Sequence, residues 1–191
     1  MIGPRRRALL GWTAGAAMIA ASAALVAVTP GPNVDPAPFV VTVAQGERGV
    51  GRNIDVTVVD VRRTQEISVP SYTKWSATGN WLVVDLKAAA VVTQSGASLS
   101  GAQFLIDGKT YTASNRPDTL FTLLQNSLVP GVPRAGAIVF ELPGSLTSGT
   151  GELAFSVSSD VRADSQIRVP IDLAEVPTTD SVELPRVGWS R

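Results

Sequence analysis

The run Asn80–Val92, N-W-L-V-V-D-L-K-A-A-A-V-V, constrains this chain more than any other stretch. Trp81, Val83 and Asp85 fall on one face of an extended strand, and Leu82, Val84 and Leu86 fall on the other. Both faces are mainly apolar, and a strand satisfies that pattern only when it is covered on both sides. The stretch therefore predicts a central strand, around which the other extended segments must assemble.

Those segments are short and closely spaced. Phe39–Val43 reads as a strand and Gly46–Gly51 as a loop. Asn53–Val61 alternates, with Ile54, Val56 and Val58 on one side, until Val58-Val59 breaks the phase; a β-bulge there accounts for the slip. Glu66–Trp75 supplies a further short strand, interrupted by Pro70. Ala102–Ile106 and Lys109–Ala113 flank Asp107-Gly108, and both turn residues tolerate the positive φ of a type I′ hairpin. Leu120, Phe121, Leu123, Leu124 and Leu128 have helical spacing within Pro117–Val129, which predicts one or two turns of helix before Pro130. Ala135–Leu142, Glu152–Val157 and Gln166–Leu173 complete the set, and Pro170 argues that the last lies at an edge. The expected fold is all-β, an immunoglobulin-like antiparallel sandwich of about 7–9 strands. It divides the chain into residues 1–29 for targeting, 30–38 as a proline-rich linker, 39–173 as the sandwich and 174–191 as an extended tail.

The targeting segment opens on Arg5-Arg6-Arg7, followed by 21 uncharged residues from Ala8 to Val28. A bilayer-spanning helix needs about 20 apolar residues, so a transmembrane signal-anchor is expected, with the N-terminus cytoplasmic and the domain outside. Ala21-Ser22-Ala23 offers the small residues of a cleavage site, in which case the domain is secreted. Arg6-Arg7-Ala8-Leu9-Leu10 also fits the loose twin-arginine pattern.

Composition removes most chemistry. The chain has no Cys and no His, so thiolate nucleophiles, Ser-His-Asp triads and imidazole metal sites have no raw material. Without the three N-terminal arginines, 13 basic side chains face 16 acidic ones, which leaves no electrostatic footprint for nucleic acid. No cofactor, metal or catalytic residue is expected. Asp85, paired with Glu141 or Asp107, is the one acid–base candidate, since paired carboxylates do such work when burial raises one pKa. Asp55, Asp60, Asp160 and Asp164 are the calcium candidates, although D-V-R-A-D over 160–164 lacks the EF-hand spacing. Ser145, Ser148 and the Ser156–Ser159 run lack both a nucleophile elbow and a base. Trp75 and Trp81 suit either the core or an aromatic binding platform, and Phe104, Tyr111 and Phe140 are core candidates.

Three segments carry a resemblance: Gly79-Asn80-Trp81-Leu82-Val83-Val84-Asp85-Leu86, Phe104-Leu105-Ile106-Asp107-Gly108-Lys109-Thr110-Tyr111, and Pro130-Gly131 followed by Gly136-Ala137-Ile138-Val139-Phe140-Glu141-Leu142-Pro143. Across about residues 50–173 the chain resembles the bacterial immunoglobulin-like "domain of unknown function" family found on cell-envelope lipoproteins and membrane-anchored proteins. The resemblance implies the sandwich and an envelope location, with no shared catalytic residues to carry over. The chain departs from the lipid-anchored members in having no Cys after its apolar stretch, so a helix would do the anchoring. The expected function is a non-enzymatic, membrane-anchored extracytoplasmic module that contacts an envelope protein or the cell wall. The alternative is an enzymatic or small-ligand-binding domain built on Asp85 and Glu141, which would need a deep pocket with converging polar groups.

Overall fold

The computed structural model describes residues 4–28, 37–70, 75–162 and 164–190, with side chains from Trp12 onward. It contains two compact units, Met1–Pro36 and Ala37–Arg191. The first holds one helix, α1 (Pro4–Val28), rich in alanine, the best helix former. Among the described residues no helix is long and apolar enough to cross a membrane. The expected transmembrane span over 1–29 is therefore not found among them. The proline-rich linker lies almost wholly outside the described residues.

The second unit is a β-sandwich. One sheet runs in the order β1 (Phe39–Thr42), β9 (Ser165–Asp172), β8 (Thr150–Ser156), β5 (Gly101–Ile106), β6 (Lys109–Thr112). The other runs β10 (Thr178–Glu183), β3 (Asp55–Ser68), β4 (Ser76–Ala89), β7 (Arg134–Leu142), β11 (Gly188–Trp189), and β2 (Arg48–Val50) also pairs with β3. Neighbours are antiparallel except β1 with β9 and β10 with β3.

The central-strand expectation holds. β4 is bordered by β3 and β7, and its two faces enter two different clusters. Leu82, Val84 and Leu86 face the space between the sheets, with Val56, Val58 and Val61 of β3, Ile138 and Phe140 of β7, and Phe104, Leu153, Phe155 and Ile167 of the opposite sheet. Phe104 and Phe140 meet across the sandwich with ring centroids 6.3 Å apart. Trp81 and Val83 join Ile67, Ala137, Val139, Phe121, Val182 and Leu184 on the outer face. A fully buried apolar side chain contributes roughly 1.5–3 kcal/mol, so neither face can be left bare.

The bulge sits where the alternation breaks: Val58 pairs with Leu86 but Asp60, not Val59, pairs with Asp85, and Val59 is left exposed. The hairpin is equally clear, with Asp107 at φ 51° and Gly108 at φ 70° between β5 and β6. Pro170 lies on β9, which has β8 on one side throughout, whereas β1 covers only Ser165–Arg168; the strand is internal, but Pro170 stands beyond the end of its outer neighbour.

Three further expectations are corrected. Residues 48–50 form β2, whose short pairing with β3 spans Arg48–Val50 inside the expected loop. The 117–129 segment is not helical. Asp118 Oδ1 accepts from Leu120 N–H at 2.8 Å and Thr122 Oγ1 from Leu124 N–H at 3.2 Å, the local side-chain bonds that compete with a helix. Apart from two isolated turns, Phe121 N–H to Asp118 O and Asn126 N–H to Leu123 O, its backbone bonds go to neighbouring segments, including Leu123 N–H to Ala137 O and Leu128 N–H to Ala97 O. The leucine spacing instead splits between clusters, with Phe121 outside and Leu123, Leu124 and Leu128 inside. Finally, 174–191 is not a loose tail. β10 adds to the β3 edge, β11 adds to the β7 edge, and the chain between them passes from one edge of this sheet to the other, burying Leu184. Part of the expected Glu66–Trp75 strand, residues 71–74, lies outside the described residues; Glu66–Ser68 belong to β3.

Candidate functional site

Asp85 is the residue where chemistry concentrates. β4 places it on the outer face of the sheet, directly opposite Asp60 on β3 because of the bulge. Arg62 bridges the pair, donating from Nη2 to Asp85 Oδ2, while its Nε lies 3.5 Å from Asp60 Oδ2. Asp85 Oδ1 is buried and has no hydrogen-bond partner. Burial pushes the Asp85 carboxyl above the usual carboxylate range; the Arg62 charge opposes this, and the neighbouring Asp60 charge adds to it. Two carboxylates and one guanidinium leave the trio one net negative charge.

Beside it runs a shallow groove of about 270 Å³, lined by Val59, Asp85, Lys87, Pro185, Arg186 and Trp189 among others. The Arg134 guanidinium stacks 4.3 Å over the Trp189 ring and holds this end of the C-terminal segment in place. The groove thus mixes an apolar wall with charges of both signs.

The partners expected for Asp85 are elsewhere. Glu141 pairs with Trp81 across β4 and β7, whereas Asp85 pairs with Ala137, so four residues of strand separate the two acids. Glu141 is instead bound by Arg116 at 3.0 Å. Asp107 occupies the hairpin tip of the other sheet. The larger cleft, about 750 Å³, does include Glu141, with Arg63, Glu66, Asn80 and Asp180. Its polar groups are engaged in structure: Asn80 Nδ2 donates to Pro143 O at 2.8 Å and Leu146 O at 3.0 Å, and Arg63 Nη1 donates to Thr147 O at 2.9 Å. These bonds tie the β7–β8 loop to the sheet.

The aspartates considered for calcium are dispersed. Arg48 Nε donates to Asp55 at 2.8 Å, and Asp160 is clamped by Arg162, whose hydrogen bonds hold the Asp160 carboxyl down at about 2. Asp164 accepts from Ser165 N–H, and Asp60 faces Asp85. Among the described residues no group of three or more acidic side chains is arranged to hold a metal ion. Ser145 and Ser148 lie in the loop between β7 and β8, and Ser156 Oγ donates to Ser158 O at 2.6 Å. Trp81 is fully buried under the Arg116 guanidinium, 5.3 Å from its ring, so it is core and not a platform; Trp75 packs half-buried against the same cluster. Phe104 and Phe140 are fully buried, and Tyr111 packs at the margin of the main core.

The Asp60–Asp85 juxtaposition is the feature that sequence reading missed. An unbulged register would have set Val59 opposite Asp85. The bulge was legible, but the pairing partner of β3 was not.

The fold and this site define a β-sandwich protein carrying an ionic trio on the outer face of one sheet. No family model matches the chain, and no curated protein matches it. It is similar to an uncharacterized beta-sandwich protein from Clostridium difficile 630, at 9% identity and a TM-score of 0.48, over 75% of this chain and 99% of that one.

Proposed function

We propose that this chain is a non-enzymatic, extracytoplasmic module of immunoglobulin type, brought to and held at a membrane by its N-terminal segment, which contacts an envelope protein or the cell wall. The strand order supports the immunoglobulin reading: β3, β4 and β7 share one sheet and β6, β5, β8 and β9 the other, the distribution of hairpins and crossovers found in such sandwiches. Arg5-Arg6-Arg7 at the start of α1, ahead of its uncharged run Ala8–Val28, supports the location.

The observation that carries the contact role is the open side of β6. Among the described residues this strand ends its sheet, pairs with β5 alone, and presents exposed Lys109, Thr110 and Thr112. An unpaired strand edge is a template for a partner's backbone. The test is crosslinking of the full chain in its native envelope through a cysteine placed at Thr110, with the sandwich as competitor. A single stoichiometric partner, displaced by the sandwich and lost on Thr112→Pro, is the expected result. Retention on purified wall without a protein partner would favour wall binding, and the appearance of neither result would sink the contact role.

A further inference from the structure

One end of the sandwich differs from the rest of its surface. Phe39 enters β1 there, with its N–H donating to Asp164 O at 2.9 Å. Arg52 N–H donates to Ser165 Oγ at 2.8 Å, which sets the β2–β3 turn beside it. Asn53 Oδ1 accepts from Val92 N–H at 2.8 Å and Thr93 N–H at 3.0 Å, bringing in the loop after β4. Gly131 N–H donates to Ala90 O at 3.3 Å, and Ser190 N–H donates to Pro133 O at 2.8 Å, so the 129–133 turn and the end of β11 complete the rim. Five large apolar side chains on this rim face outward: Val92 is 72% exposed, Phe39 68%, Trp189 55%, Val132 43% and Val91 39%. Single exposed apolar residues are ordinary, but five drawn from four separate segments to one end of a domain are not.

The opposite end is acidic. Asp107, Asp172, Glu66 and Glu183 lie there, with Lys109. The apolar rim carries Arg52, Arg134, the Asp160–Arg162 ion pair and Asp164, which come close to balance. The rim is also the end at which the chain enters the sandwich, and only residues 29–36 separate it in sequence from α1.

We propose that this rim seats on a lipid bilayer, with Phe39, Val91, Val92 and Val132 entering the boundary between headgroups and acyl chains and Trp189 lying at headgroup level. The proposal rests on the membrane-held reading above. Apolar loops with an interfacial tryptophan and little net charge suit that boundary, where burial of apolar surface drives binding. The acidic end would be repelled by anionic headgroups and points away. Contact through the rim would also set the direction in which the open edge of β6 is presented.

The chain has no cysteine, so a single introduced one reports one place. Full-length Val92→Cys, Val132→Cys and, as control, Thr110→Cys carry an environment-sensitive fluorophore and are mixed with phosphatidylcholine vesicles. Flotation of the vesicles reports whether the chain is held at the membrane, and iodide quenching reports where each label sits. Flotation with quenching at positions 92 and 132 cut several-fold, and quenching at 110 unchanged, is the expected result. Flotation with all three labels quenched equally would overturn the seating while leaving the membrane-held reading intact. Absence of flotation would overturn both. A Val92→Asp, Val132→Asp double substitution, at positions too exposed to support the fold, should restore quenching of a label at Phe39→Cys without abolishing flotation.

Discussion

The two faces of the β3–β4–β7 sheet are built from different materials. Its inner face is closed by a second sheet, so alternating strands meet alternating strands and the Phe104–Phe140 contact is one of many. Among the described residues its outer face has no sheet above it. Trp81, Val83 and Val139 are covered by Phe121 from an irregular crossing segment and by Val182 and Leu184 from the C-terminal stretch. Further along the same face the cover thins, and there Asp60, Arg62 and Asp85 replace apolar side chains. A strand apolar on both faces therefore does not require two sheets. Two irregular segments suffice, provided that edge pairing at β10 and β11 anchors one of them.

That contrast can be broken most forcefully at the C-terminus. A chain stopped after Pro177 loses β10, β11 and the buried Val182 and Leu184, which should cost roughly 3–6 kcal/mol from those two side chains alone. Denaturant unfolding would register it; a loss under about 1 kcal/mol would mean that the outer cluster stands without its cover.

Next in size are the two aromatic anchors. Trp81→Ala and Phe104→Ala should each destabilise by about 3–5 kcal/mol in the full chain. In the truncated chain only Phe104→Ala should keep its full effect, because Trp81 has already lost its cover. Equal effects of both substitutions in both backgrounds would show the two faces to be one cooperative core.

The smallest effect concerns Asp85. Its carboxyl titrates above the ordinary value of 3.8 in the folded state, so the folded chain holds that proton more tightly than the unfolded one. This contribution to stability grows as pH falls through the folded value and levels off below 3.8. Asp160 has the opposite sign: its folded value near 2 gives a contribution present above 3.8 and lost on descent toward 2. Asp85→Asn should therefore flatten the gain on mild acidification without touching the loss at stronger acid. Unfolding midpoints of the two proteins across that range would decide it, and parallel profiles would remove Asp85 as the titrating group.

Much of the site's setting was legible in residues taken one stretch at a time. The phase break at Val58-Val59 marked the bulge, and Asp107-Gly108 marked the hairpin, because both are local properties of a few adjacent residues. Asp85 was singled out in the sequence, but the structure sets it beside Asp60, not beside Glu141 or Asp107. Which acid lies opposite it depends on the register of β3 against β4, a matter of long-range pairing to which Asp60's own neighbours in sequence give no clue.

By itself, then, the sequence determined an all-β sandwich organised on β4, since two-sided apolar alternation and tight turn chemistry admit little else. It also ruled out thiolate and imidazole chemistry, because the atoms are absent. Only the tertiary structure decided that leucines spaced for a helix would be shared between two cores and that a proline-broken C-terminal stretch would become two strands. It alone set Asp60 against Asp85. Those outcomes depend on which edges and faces remain uncovered once the main strands have paired, and that is a property of the assembled sheets, which no single segment carries.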